Sequence, residues 1–247
     1  MNRLGAALAV AAGLLAWAAL AARVGPLLLA GPDDVARALV VERARLGEAT
    51  FRTALSAIGG LGAAALLGVA LAVAAWWSRA LRAALLPYIV ALQVVPIVAI
   101  APLLVVWLGY GTGVALTTAV IAAFYPVYSA TTTGLAAPGR ELVDLFDLYG
   151  AGRGRELWLL RLPAALPAIF SGLRSAAGLS VIGAVVGEFV GSNGRPPTLG
   201  YLVMYAARSA RTDLCFAAIV AAAALALVQH GALRALEARA IGRWYGT

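Results

Sequence analysis

The stretch RELVDLFDLYGAGRGRELWLLRLPAALPAIFSGLR, residues 140–174, decides how this chain is read. It gathers charges, bulky apolar residues, three closely spaced glycines and two prolines into one island. Around it the chain is nearly pure hydrocarbon. Of 247 residues 63% are hydrophobic and 12% charged, and the mean hydropathy is +0.91. Soluble domains carry about 25% charged residues. The shortfall points to the bilayer as solvent and to an all-α integral membrane protein.

Within the island, residues 141–149 have helical spacing, with Leu142, Leu145, Phe146 and Tyr149 on one apolar stripe. Gly150 and Gly152 permit a sharp turn. Helical character resumes at residues 155–162, and Pro163 and Pro167 are expected to break or bend it. The island therefore reads as two short helices meeting at a glycine corner. A solvated loop has no need of Phe146, Tyr149 and Trp158. Exposed aromatics among charges are what a protein-binding face uses.

Composition also excludes function classes. The formal net charge is +8, but the basic residues are scattered between apolar runs rather than gathered in a patch, which argues for lipid and cytoplasmic-side anchoring and against nucleic acid. Every basic residue is Arg. Without Lys the chain cannot form a P-loop or a Schiff base. Cys215 and His230 stand alone, so no disulfide and no histidine-based metal cluster is expected. Nothing assembles a nucleophile, a base and an oxyanion site, so the chain is not expected to be an enzyme or to hold a cofactor.

Six apolar runs approach or exceed the roughly 20 residues that cross a bilayer core: 4–30, 53–77, 85–108, 114–136, 169–191 and 214–236. The first resembles a signal peptide but exceeds the typical apolar region of about 7–15 residues, and is read as a retained helix. Six spans put both termini on one side. With the N-terminus inside, ten arginines fall on cytoplasmic segments and seven, including Arg195, on outer ones, which favours N-in and C-in. Residues 33–52 mix charges with apolar residues, as in a helix lying on the membrane. The sequence offers a single transmembrane domain, 1–247, with its cytoplasmic loop at about 138–163.

The loop resembles the signature loop of permease subunits of bacterial ABC importers. That pattern runs from an acidic residue through two small residues to a glycine, then to an apolar residue and a Leu-Pro pair. Here Asp144 takes the acidic position, Gly150 the glycine, Leu160 the apolar position and Leu162-Pro163 the end. Leu145 and Phe146 stand where the two small residues are expected. The segments PIVAIAPLLVVWLGYGTG, FYPVYSATTTGL, GEFVGS and LGYLVMYAAR, in that order, are similar to the sulfonate, nitrate and taurine branch, which includes permeases for thiamine-pyrimidine precursors and riboflavin. Residues 85–245 carry the resemblance.

The resemblance implies a type I importer permease that works as a homodimer of six-span subunits in the bacterial inner membrane. Two cytoplasmic ATPase subunits, which bind the ATP and Mg²⁺, would grip the helix around Asp144–Gly150. A periplasmic or lipid-anchored binding protein would deliver the substrate. Asp144, Leu145, Phe146, Tyr149, Gly150, Leu162 and Pro163 are the expected coupling residues. Gln93, Tyr125, Tyr128 and Glu188 are pathway or gate candidates. Glu188 is the only carboxylate well inside an expected span, and a structural pair, for instance with Arg208, is its alternative role. Gln93 alternatively bonds across helices, and Tyr125 and Tyr128 alternatively make helix–helix contacts. Two other functions stay open: a secondary transporter, and a membrane scaffold that has lost its coupling.

Overall fold

In the computed structural model, which describes residues 3–194 and 197–245, the chain is helical and no strand occurs among the described residues. The helices are α1 (Arg3–Val24), α2 (Pro32–Val41), α3 (Arg43–Trp77), α4 (Arg79–Val94), α5 (Ile97–Leu108), α6 (Thr112–Leu135), α7 (Arg140–Leu148) and α8 (Arg153–Glu156). A π turn (Leu157–Arg161) follows, then α9 (Leu162–Gly191), α10 (Leu199–Arg208) and α11 (Thr212–Tyr245). Arg195, counted above among the outer arginines, lies outside the described residues.

The expected six spans are not all found. Among the described residues four helices are long and apolar enough to cross a membrane, or five if α4 and α5 are taken as one broken span. The run 4–30 stops early because Gly25 adopts φ +92° and donates its N–H to the Ala21 carbonyl at 2.9 Å, and Pro26 follows. Leu8–Val24 is left as a shorter apolar helix. The run 85–108 turns through 103° between α4 and α5. Pro96 has no N–H to donate and holds Val95 extended, at ψ 125°. Pro102, inside α5, does not break its helix. Nor do residues 33–52 form one surface helix. They divide into α2 and the first turns of α3, whose helix extends N-terminally from the apolar run to Arg43.

The core is built where α3, α6 and α9 meet. Leu61, Ala64 and Ala72 of α3, Ala123, Phe124, Val127 and Tyr128 of α6, and Ala165, Ala176 and Ala177 of α9 are buried together. Lipid offers no hydrophobic drive between helices, so close van der Waals contact must supply it. The sequence supplies the means as small residues on one face of α9: Gly172, Ala176, Ser180, Gly183, Gly187 and Gly191, all buried. A Cβ on Gly183 would lie 2.6 Å from the Thr118 carbonyl oxygen, and one on Gly187 would lie 2.2 Å from Thr118 Oγ1. On the α3 side, a Cβ on Gly60 would lie 2.4 Å from that of Ala119. Backbones are in contact here, and no larger residue fits.

A second cluster closes one end of the bundle. Val35 and Ala38 of α2, Leu46 and Ala49 of α3, Leu199, Leu202 and Ala206 of α10, and Leu214, Ala217 and Ala218 of α11 are buried against one another. Helix α1 joins this end through Trp17, whose Nε1–H donates to the Ala30 carbonyl at 3.1 Å and whose ring meets Phe216 at 5.8 Å. Arg211 ties the α10–α11 turn to α2, donating to Glu42 at 2.8 Å and Asp213 at 2.9 Å. Both acids hold its guanidinium firmly protonated.

Gly183→Val is expected to destabilise the bundle by about 1–3 kcal/mol through overpacking. Gly178→Ala, whose added Cβ would meet nothing within 4 Å, is expected to leave it unchanged or slightly more stable. Thermal loss of helical circular dichroism in detergent checks both.

Candidate coupling loop and buried carboxylate site

The loop opens with α7, a nine-residue amphipathic helix without a buried residue. At 100° per residue, Leu148, Leu145, Tyr149, Leu142, Phe146 and Val143 occupy one continuous arc. The arc is divided between two environments. Phe146 and Val143, at one edge, are half-buried, while Leu142, Leu145, Leu148 and Tyr149 are exposed, the last two at 81% and 79%. Asp144 is exposed on the polar side.

Gly150 ends α7. Its φ of +67° suits glycine, and the N–H of Gly150 bonds to the Asp147 carbonyl at 3.0 Å while that of Ala151 bonds to Phe146 at 2.9 Å. This paired capping is a Schellman motif, which fixes the angle at which the chain leaves the helix. Gly152 has φ −67° and needs no such freedom, so only one of the two expected corner glycines makes the turn.

Beyond the corner the expected break at Pro163 and Pro167 does not occur. The helix runs on from Arg153 to Gly191. The π turn accommodates it: the Leu162 N–H reaches back five residues to the Leu157 carbonyl, and Pro163 falls just where the hydrogen-bond register is already shifted. Leu162 packs against the core, so Leu162-Pro163 belongs to the root of the loop rather than to its exposed face.

Two arginines root the loop in the bundle. Arg153 lies over Trp76 and Trp77, 5.2 and 5.3 Å from the ring centres, and donates to the Trp76 carbonyl at 3.3 Å. Arg161 donates to buried Glu156 at 2.6 Å and to the Leu135 carbonyl at 2.7 Å, and its guanidinium also faces Trp76. Sequence reasoning counted both Arg153 and Arg161 among the ten cytoplasmic arginines and gave neither a specific contact. The available signal was the Trp76-Trp77 pair at the end of an apolar run, a platform for a cation.

At the opposite end, Glu188 closes a different junction. Its Oε2 accepts from the Thr53 hydroxyl at 2.8 Å and from the Gly200 N–H at 3.0 Å. Thr53 Oγ1 in turn accepts from the Leu199 N–H at 3.0 Å, and Thr198 Oγ1 accepts from the Tyr201 N–H. The first three N–H groups of α10 are thus satisfied by three side chains, from α3, α9 and the cap itself. A carboxylate at a helix N-terminus is well placed electrostatically. Gly200 is required because a Cβ there would lie 2.3 Å from the Val185 carbonyl oxygen. Glu188 Oε1 is left without a partner among the described residues, beside a cavity of about 30 Å³ that Ser56, Ser192 and Thr198 also line. Arg208 is exposed and takes no part.

Of the four pathway candidates, Tyr125 and Tyr128 share α6, Gln93 lies on α4 and Glu188 on α9. Gln93 is exposed next to the α4–α5 bend, Tyr125 is half-buried, and Tyr128 is buried with its ring stacked on Phe124 at 5.9 Å. Glu188 lies at the α10 junction.

Long apolar helices packed through glycine faces, with one rooted amphipathic loop, define a multi-pass membrane subunit. The chain belongs to the family described as binding-protein-dependent transport system inner membrane component, whose model matches residues 64–242. It is 39% identical over 196 residues to a probable ABC transporter permease protein of Haemophilus influenzae, across 79% of each chain. It is 31% identical over 230 residues to the formylaminopyrimidine transport permease protein ThiX of Halalkalibacterium halodurans, across 91% of this chain and 89% of that one. It is 30% identical to the taurine transport system permease protein TauC of Escherichia coli, across 90% and 82%. Matches of that length reach into the first 80 residues, beyond the 85–245 that carry the resemblance in the sequence.

Glu188→Ala is expected to leave the Gly200 N–H buried without an acceptor, at about 1–3 kcal/mol. Glu188→Gln retains an acceptor oxygen and is expected to retain most of that stability. Amide hydrogen exchange at residues 199–201 reads the difference. At the corner, Gly150→Ala is expected to cost about 1 kcal/mol in loop stability because alanine resists positive φ, while Gly152→Ala is expected to be silent. Exchange protection of the α7 amides distinguishes them.

Proposed function

We propose that this chain is the translocating subunit of an ATP-driven importer, coupled to a separate ATPase through the loop Asp144–Pro163. The observation that carries the reading is the exposed half of the α7 arc. Leu142, Leu145, Leu148 and Tyr149 project from a helix that is capped at Gly150 and rooted through Arg153 and Arg161. A rigid apolar face held off the bundle suits a groove on a partner. Phe146, half-buried at the edge of the arc, is proposed to contribute at the rim. Asp144, on the polar flank, is placed to meet a partner cation. The absence of Lys accords with this division of labour, since ATP and Mg²⁺ then belong to the ATPase.

In this reading the α7 end faces the cytoplasm, as the N-in and C-in arginine balance favours. The α2, α10 and Glu188 end faces outward, where an extracytoplasmic binding protein delivers the solute. A second copy of the chain completes the pathway. The relatives named for formylaminopyrimidine and for taurine are about equally similar to this chain, so the proposed cargo is a small organic or anionic solute. Gln93, Tyr125 and Tyr128 are proposed pathway residues, and Glu188 a strut of the outer gate.

Co-expression with a candidate ATPase tests the coupling. Leu145→Ser with Tyr149→Ser is expected to weaken association at least tenfold, as loss of aromatic anchors does, with membrane insertion unchanged. Wild-type association in that variant would sink the assignment.

A further inference from the structure

At the root of the loop, a cavity of about 230 Å³ opens between the ends of α3, α4 and α6. Its floor is apolar, from Ala72, Ala75 and Leu135, and its rim is Trp76, Arg82, Thr132 and Arg161. The rim carries a surplus of positive charge. Arg161 is already paired with Glu156, but among the described residues Arg82, Arg79 and Arg153 have no carboxylate within ion-pair distance. Arg153 lies on the Trp76-Trp77 platform beside the cavity.

We infer that this cavity is a binding site for a phosphate-bearing anion, and that the anion is the headgroup of an acidic phospholipid. Guanidinium groups match phosphate oxygens in charge and in their forked donor geometry. The level is right for a headgroup: the cavity sits where the apolar run of α3 ends, and Trp76 and Trp77 mark that end as tryptophans mark a membrane–water boundary. The composition is right as well. An apolar floor under a cationic rim matches a molecule whose charged head continues into hydrocarbon. Basic pockets between membrane helices take acidic lipids in this way. The site uses Arg161 and Trp76, which also root the coupling loop, so an occupied cavity would hold that root together. The binding itself does not depend on any ATPase docking at α7.

The test uses the purified full chain in phosphatidylcholine nanodiscs, with and without phosphatidylglycerol, and native mass spectrometry of the lipid retained. Wild-type protein is expected to retain phosphatidylglycerol over phosphatidylcholine. Arg82→Gln, at an exposed side chain with no ion pair to lose, is expected to weaken that retention about fivefold, the effect of one arginine near a charged surface. Arg79→Gln, a neighbouring exposed arginine outside the cavity lining, is expected to leave it unchanged. A parallel arm adds inorganic phosphate without acidic lipid. Stabilisation by phosphate that Arg82→Gln abolishes, with no preference for phosphatidylglycerol, would keep the anion site and overturn the lipid source. Equal losses in both variants would reduce the effect to general surface charge, and no loss in Arg82→Gln would remove the site; either result overturns the inference.

Discussion

The contact on which the rest of this structure depends is the approach of α9 to α6 at backbone distance. In water, apolar side chains would drive such helices together; in lipid they have no such preference. Only surfaces that fit without side chains between them gain enough dispersion contact to compete with lipid. The buried glycines and alanines of α9 provide that surface, and Thr118 and Val114 of α6 fill the space a Cβ would need. A helix seated this closely has little freedom to slide. Its two ends are therefore fixed relative to the core, and each end carries one of the polar assemblies.

Those assemblies follow one rule. Buried polar groups must find partners inside the protein, because hydrocarbon supplies none. At one end, Glu188 and Thr53 satisfy the N-terminal N–H groups of α10 and so join α3, α9 and α10. At the other, Glu156, Arg161 and the Leu135 carbonyl join the loop to α6, with Trp76 as a lid. Both are three-way junctions between segments far apart in sequence. Each converts the α3–α6–α9 core into a frame that positions something outside it: a short helix at one end, the proposed coupling loop at the other.

The parts legible in the sequence were those set by local rules. The amphipathic α7 and its glycine corner could be read from spacing and from Gly150. The runs 53–77, 114–136 and 169–191 were found because length and hydropathy suffice. The failures had particular physical causes. Hydropathy does not see Gly25 adopting positive φ, so run 4–30 read as one helix. It also gives a bent pair the score of a straight span, so the run 85–108, with its 103° turn at Val95-Pro96, read as one span. Pro163 looked like a breaker because the π turn before it leaves no mark in composition. The partners of Glu188 were invisible for a different reason. Thr53 and Gly200 lie in other helices, and the bond to Gly200 uses a backbone N–H, which no residue type announces.

The division of the α7 arc bears on how such a loop transmits movement. A helix wholly folded onto the bundle would have no face to offer. A helix free of the bundle would move without consequence for it. Here Val143 and Phe146 are half-buried while Leu145, Leu148 and Tyr149 stay exposed. The departure from small residues at Leu145 and Phe146 then acquires a physical sense: one of the two bulky side chains serves the outer face and the other the inner. Under the coupling proposed above, force applied to Tyr149 would pass through the Schellman turn at Gly150 to Arg153 and Arg161, and from there along an unbroken helix to the glycine face of α9. From Arg153 to Gly191 that helix has no break. Had Pro163 broken the helix as the sequence suggested, rotation of the loop would dissipate at the break. The π turn preserves continuity, and continuity makes a peripheral loop mechanically part of the core.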